Sequence, residues 1–408
     1  MMDKNTTILN QLAEGRAGLV GYSRFLRNDK VTEDKVINSA IHRCSPLAKG
    51  RHVLVLNDTT DFNFGEHQNY LSATDEHLGS MSNDGDMGFY LHPGLVVDAE
   101  HGIGLGFSYI KIWNRAHETQ HKRKQNYTSQ PLEAKESYRW IECGLESKKN
   151  LSGADHLTII ADRESDIYQE FALLPDTKTD LIIRSSQDRG LEESGQKLYK
   201  TLSEAPLCGS YPLRIRTSQN GKRQGRDTLM EVRFKKVKIR KPTTVKDKSL
   251  PSCVELYAIE ATEKNDQVPL SEKPICWRLL TTYTITDIKD ALQIIQWYSM
   301  RWQIELLFGT MKSKGLDLEA SELESGRGLK NLCLIGLQVA LKINQLSQGR
   351  DSEHELSAEI TFTPKQIAVL KVLVERYEGK TEKPPQGWNV SLGSLDNCKN
   401  GGMERLCK

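Results

Sequence analysis

Two aliphatic runs, HVLVL at 52–56 and HLTII at 156–160, are each followed two residues later by an aspartate, Asp58 and Asp162. β-branched and aliphatic runs of this length that close in polar residues read as buried strands. The carboxyl ends of strands in an α/β sheet are where sites are built. A chain that buries both runs therefore has to present two carboxylates at strand ends, and this limits both its fold and its chemistry.

The segments around the two runs supply the rest of a sheet. MGFYLHPGLVVDA and GIGLGFSYIKIW are strand candidates separated by the turn EHG, LEAKESYRWIECGLESKK is a helix, and DLIIRSS is another strand. Three strands followed by helix, strand, helix, strand is the element order of a ribonuclease-H-like core. The expected fold is thus α/β, a mixed sheet flanked by helices. Residues 190–275 alternate with period two around Gly, Pro and Asn turns and read as a β-rich insertion. CWRLLTTY at 276–283 returns to an apolar strand. The expected organisation is a helical region at 1–50, a first part of the core at 51–189, the insertion at 190–275, a second part of the core at 276–328 and a helical C-terminal region with an irregular tail at 329–408. Within the first region Thr32 is a plausible N-cap, with Glu33 and Asp34 behind it.

Of the 408 residues 38% are hydrophobic and 27% charged, as in a soluble globular protein, and the formal charge is +2. An anionic partner must then be met by local basic patches and not by a global field. The longest apolar runs are too short or interrupted to span a bilayer. The N-terminus lacks a secretory pattern. The eight cysteines contain no CxxC pair, so reduced thiols in a cytoplasmic protein are expected, with neither a zinc finger nor a disulfide framework.

The stretch QWYSMRWQIELLFGTMKSKG at 296–315 reads as a helix. At about 100° per residue, Tyr298, Arg301, Glu305 and Lys312 fall within an arc of roughly 60°. Trp297, Met300, Ile304, Leu307, Phe308 and Met311 fill the neighbouring arc. An ionisable stripe beside an apolar flank belongs at the edge of a core or cleft. Asp58, Asp162 and Glu305 could converge to hold two Mg²⁺ ions about 3.5–4 Å apart, one activating a water or 3′-hydroxyl and the other stabilising the leaving oxygen of a phosphodiester. Arg301 and Lys312 offer phosphate contacts and Tyr298 a hydroxyl donor. The residues alone leave plainer roles open: Arg301 and Glu305 as a surface ion pair, and Asp162 as a helix cap.

The spacing Y-(2)-R-(3)-E-(6)-K formed by Tyr298, Arg301, Glu305 and Lys312 resembles the signature of bacterial DDE transposases of the insertion-sequence-four family. LNDTTDFNF resembles that family's first-aspartate strand and ADRESDIYQEF its second-aspartate block. LEAKESYRW, with Lys135, Glu136, Ser137 and Trp140, resembles a helix found between them. The similarity runs from about residue 14 to about 347. It implies Asp58, Asp162 and Glu305 as the metal-binding triad for two Mg²⁺ ions, with Mn²⁺ able to substitute. It also implies Tyr298, Arg301 and Lys312 as contacts to the DNA strand beside the cut.

The resemblance further implies cut-and-paste transposition on double-stranded DNA, at the element's ends and then at a target, by a homodimer on paired ends. Water cuts one strand, the released 3′-hydroxyl attacks the other to give a hairpin, a second water opens it, and the 3′-hydroxyl then attacks target DNA. A hairpin needs a base moved out of the stack, and an aromatic ring can receive it. Trp277 matches the family's stacking aromatic, with a core position in an apolar strand as its other reading. Arg189, the basic segment His121–Gln125 and the segment Arg233–Lys241 are further DNA-contact candidates. Asp61 and Asp166 read as supporting or capping residues, and Asp98, which also closes a strand, as the chief impostor for a triad member.

Family members usually carry a further segment before ILNQLAEG, so a truncated copy that retains its catalytic core is also expected as a possibility. Two other functions fit the same residues. A ribonuclease-H-like nuclease would cut without joining, and a truncated DNA-binding remnant would bind without cutting. The β-rich insertion between Asp162 and Glu305 favours the transposase.

Overall fold

The computed structural model describes residues 1–2, 4–65, 71–72, 74–81, 86–115, 130–192, 195–218, 223–264, 266, 268–312, 315–351, 354–377 and 389–392. Three helices come first, α1 (Leu9–Leu12), α2 (Arg16–Arg27) and α3 (Glu33–Ala48). The Thr32 hydroxyl accepts from the Lys35 N–H at 3.4 Å and caps α3 as its sequence implies. There follow β1 (His52–Asn57), β2 (Thr60–Asn63), β3 (Gly79–Ser80), β4 (Met87–Asp98) and β5 (Gly104–Trp113). Then come α4 (Tyr138–Asn150), β6 (His156–Ala161), α5 (Tyr168–Leu173), β7 (Thr179–Arg184) and α6 (Leu198–Ser203). The strands β8 (Gly209–Ile215), β9 (Arg226–Arg240), β10 (Cys253–Glu263) and β11 (Cys276–Thr281) complete the sheet. Helices α7 (Ile288–Ser299), α8 (Trp302–Met311) and α9 (Gly326–Asp351) follow, then β12 (His354–Ser357), α10 (Pro364–Tyr377) and β13 (Asn389–Leu392).

Among the described residues the large sheet has eleven strands. β5 and β4 are antiparallel neighbours, β4 is antiparallel to β1, and β1, β6 and β7 run parallel. That order and those directions make a ribonuclease-H-like sheet. β11 pairs antiparallel with β7, and β10, β9 and β8 continue outward from it. The residues read as an insertion therefore extend the main sheet and do not form a sheet of their own.

Alternation along the strands divides the interior into two cores. Leu54 and Leu56 of β1, with Ile160 and Ile182, pack toward Ile294, Tyr298, Ile304, Leu307 and Leu332 of α7, α8 and α9. Val53 and Val55, with Ile159 and Ile183, pack toward Trp140 and Ile141 of α4 and Phe171 of α5. Burying each such side chain contributes about 1.5–3 kcal/mol, so both faces of β1 are anchored and its carboxyl end is fixed in space.

The expected single helix at 296–315 is broken. α7 ends at Ser299 and α8 starts at Trp302. Between them the Met300 N–H donates to the Trp297 carbonyl and the Arg301 N–H to the Tyr298 carbonyl, the tighter i to i−3 pattern. Ile304, Leu307, Phe308 and Met311 still line the buried side of α8. Among the described residues no helix is long and apolar enough to cross a membrane. The six described cysteines are unpaired.

Candidate active site

β1 and β6 pair in parallel with a constant offset that ends at Leu56 opposite Ile160. Carried two residues further, that register sets Asp58 across from Asp162, on strands about 4.8 Å apart. The Asp58 carboxylate is 20% exposed. Its Oδ1 accepts the Thr59 N–H at 2.8 Å and its Oδ2 accepts from Arg301 Nη1 at 2.9 Å. Arg301, buried at the break between α7 and α8, also donates through Nη2 to Glu305 Oε1 at 2.5 Å. One guanidinium thus joins the strand-end aspartate to the helix glutamate, 31% exposed. This bridge reaches across the fold and is more than the i, i+4 surface pair that spacing alone allows.

Asp162 follows β6 and caps a short 3₁₀ turn, Arg163–Ser165, its Oδ1 accepting the Glu164 N–H at 2.9 Å. The capping role open in the sequence is therefore real, and it coexists with the position beside Asp58. Burial pushes the Asp58 carboxyl up to about 7; the Arg301 charge opposes this, and repulsion from Asp162 and Glu305 adds to it. Arg301 itself is held above its ordinary range. Burial works against its charge, and Tyr298, Asp58 and Glu305 together outweigh burial.

Tyr298 is fully buried, beside Arg301 and Arg184. Burial raises its hydroxyl, and among the described residues no group meets that oxygen in full hydrogen-bonding geometry. Lys312 lies just past α8 in an extended conformation, so it leaves the helical arc expected for it. Its Nζ reaches Asp61 Oδ1 at 3.2 Å and Glu319 Oε1 at 3.9 Å. Asp61 therefore partners a cation.

Two expectations, those for Trp277 and Arg189, are corrected. Trp277 is 1% exposed in β11, inside the core shared with α7 and α8; the ring is already packed on all sides, so in this structure it offers no face to a base. Arg189 is buried against Asp166, donating from Nε at 2.9 Å and from Nη2 at 2.6 Å to Oδ1. Its charge is consumed by the fold and is not presented to DNA, while Asp166 also accepts the Ser186 and Gln187 N–H groups. Asp98, the expected impostor, lies at the opposite end of the sheet, because β4 runs antiparallel to β1 and sets Asp98 beside Val53; there it pairs with Arg51 and His101. The segment Arg233–Lys241 lies on β9, where Lys236 pairs with Glu255 and Arg240 with Glu192. His121–Gln125 lies outside the described residues.

Sequence reasoning missed Arg184. It closes β7, the third parallel strand, so the strand-end rule that selected Asp58 and Asp162 points to it too. Burial lowers its guanidinium's proton affinity; the neighbouring charges of Arg163 and Arg301 act the same way and Tyr298 acts against them. It stands beside Tyr298 and Arg301.

Among the described residues no three acidic, histidine or cysteine side chains stand together as a metal-holding group. The donors nevertheless suit a hard divalent cation in type and charge. Asp58 and Glu305 both turn their oxygens to one shared cation, Arg301.

Residues 143–340 match the family model described as a transposase DDE domain. Among solved structures the chain is similar to the piggyBac transposase synaptic complex with hairpin DNA, seen by cryo-electron microscopy, at 13% identity and a TM-score of 0.36. The similarity covers 84% of this chain and 57% of that one, so the chain spans less than two thirds of that transposase chain's length. The matched span takes in Asp162, Arg184, Tyr298, Arg301 and Glu305, and Asp58 meets them through Arg301.

Proposed function

We propose that the chain is a DNA transposase of the insertion-sequence-four type, with Asp58, Asp162 and Glu305 as its catalytic carboxylates. The observation that carries this reading is the Arg301 bridge from Asp58 to Glu305, formed where Asp58 and Asp162 end neighbouring parallel strands. The three carboxylates would hold divalent ions, Mg²⁺ or Mn²⁺; when bound, these supply a Lewis acid for the attacking oxygen and charge stabilisation for the leaving one.

The chain's own residues do the positioning. Arg184 grips the phosphate beside the cut, joined by Arg301 once its fork is released from Asp58 and Glu305, since a guanidinium fork matches two phosphate oxygens. Tyr298 supports both from below, and its unsatisfied hydroxyl has a donor to give once Arg301 turns to the phosphate. Lys312 tracks the next phosphate after release from Asp61. Hydrolysis of one strand, hairpin formation on the other, and joining to target DNA by a dimer on paired ends complete the reaction.

The test uses DNA carrying the inverted repeat that borders the coding frame, pre-cut at one strand, with Mg²⁺ or Mn²⁺. Hairpin product that needs the metal and is lost in Asp58→Asn, Asp162→Asn and Glu305→Gln is expected. Nicking without joining would mean a nuclease, binding without cutting a DNA-binding remnant, and undiminished cutting by all three variants would remove the carboxylates from the chemistry.

A further inference from the structure

Arg139 of α4 ties together the two turns that bear the strand-end aspartates. Its Nε donates to Thr59 Oγ1 at 2.8 Å, and its Nη2 donates to Glu164 Oε2 at 2.7 Å. Thr59 is the residue whose N–H holds Asp58 Oδ1, and Glu164 is the residue whose N–H holds Asp162 Oδ1. One guanidinium is therefore two bonds away from each carboxylate, along matching paths. We propose that Arg139 is a positioning residue, a strut that sets the separation and orientation of Asp58 and Asp162. The inference rests on those aspartates being the metal-binding pair.

The strut is rigidly mounted. The Arg139 side chain is 12% exposed, lies over the Trp113 and Trp140 rings with 5.9 and 5.2 Å between its Cζ and their centroids, and donates from Nη1 to the Glu136 carbonyl at 2.9 Å. All three of its nitrogens are thus engaged, and the planar fork has little freedom left. The Thr59 hydroxyl is fixed from its other side by His92 Nδ1 at 2.9 Å. His92 is fully buried edge-on to Trp140, and burial keeps it neutral. A neutral ring nitrogen can take the one hydroxyl proton while the oxygen accepts from Arg139. Strand β4, helix α4 and both carboxylate turns are locked to one point by this network. An ordinary surface ion pair would not need the threonine arm.

Support around ligands changes metal affinity or activity by about 10–100-fold when removed. The probe is Mn²⁺, with free ion counted by electron paramagnetic resonance in the full-length chain, alongside DNA binding by fluorescence anisotropy. Arg139→Lys keeps the charge but reaches only one of the two turns, and Thr59→Val removes the receiving hydroxyl while keeping the shape. Both are expected to weaken Mn²⁺ binding about tenfold or more and to lower kcat, with DNA affinity and melting temperature near those of the parent. If Arg139→Lys does not fold, Thr59→Val and Thr59→Ser decide: Ser, which keeps the hydroxyl, is expected to restore Mn²⁺ affinity. Asp58→Asn runs in parallel. If it abolishes Mn²⁺ binding while Arg139→Lys and Thr59→Val leave it unchanged, the strut is wrong and the site stands. If Asp58→Asn also leaves Mn²⁺ binding unchanged, the site reading falls and the strut with it.

Discussion

Replacing Arg189 with alanine separates a residue that holds the fold from one that holds DNA. Two donors reach Asp166 Oδ1, at 2.9 and 2.6 Å, and a third bond runs from Nη2 to the Asp166 carbonyl at 2.5 Å. The side chains are 5% and 0% exposed. Hydrogen bonds to charged groups are worth about 1.5–3 kcal/mol each. Asp166 keeps its Ser186 and Gln187 N–H donors after the change, so the loss falls short of a bare buried charge. Breaking one side of a buried pair costs about 3–5 kcal/mol, at or below the low end of what three such bonds sum to because the retained donors still compensate Asp166. Urea unfolding followed by circular dichroism should show that loss in Arg189→Ala, with Arg189→Lys recovering little because the fork is gone. DNA affinity measured across salt concentrations should keep the parent's slope. The reasoning is refuted if Arg189→Ala unfolds at the parent's urea midpoint while the slope of log K against log salt falls by about one, the mark of a lost phosphate contact.

Two other measurements bear on the site. The folded Asp58 carboxyl stands at about 7, above the ordinary 3.8, because of burial and then of neighbouring charge; its ionisation therefore opposes folding, and its contribution weakens stability as pH rises from about 4 through about 7. In metal-free buffer Asp58→Asn should match the parent near pH 4 and melt above it at pH 8, and a variant less stable than the parent at pH 8 would contradict this. Trp277→Ala should cost about 3–5 kcal/mol, as large aromatic deletions in cores do, whereas Trp277→Phe should fold and still form hairpins within a few-fold of the parent; a well-folded Trp277→Phe with hairpin yield down tenfold would restore the ring to base stacking.

The aliphatic runs before Asp58 and Asp162 and the period-two ladders after residue 190 determined the strands, because side-chain patterning is local and survives without a partner. The strand-end rule singled out Asp58 and Asp162 for the same reason, and the spacing from Tyr298 to Lys312 singled out Glu305. Tertiary structure decided everything that needed a second element. The break at Met300 and Arg301 has no Gly or Pro to announce it, and it forms where the Arg301 guanidinium reaches over to Asp58. Trp277 and Arg189 look the same in sequence whether they face DNA or the interior; the packing of α7 and α8 on β11 buried the one, and the Asp166 turn took up the other. Arg139 gave no local signal, because its meaning lies in joining Thr59 and Glu164, 80 and 25 residues away along the chain. Contacts at such separations are set by how the sheet stacks its strands, and only the folded chain brings them within hydrogen-bonding reach.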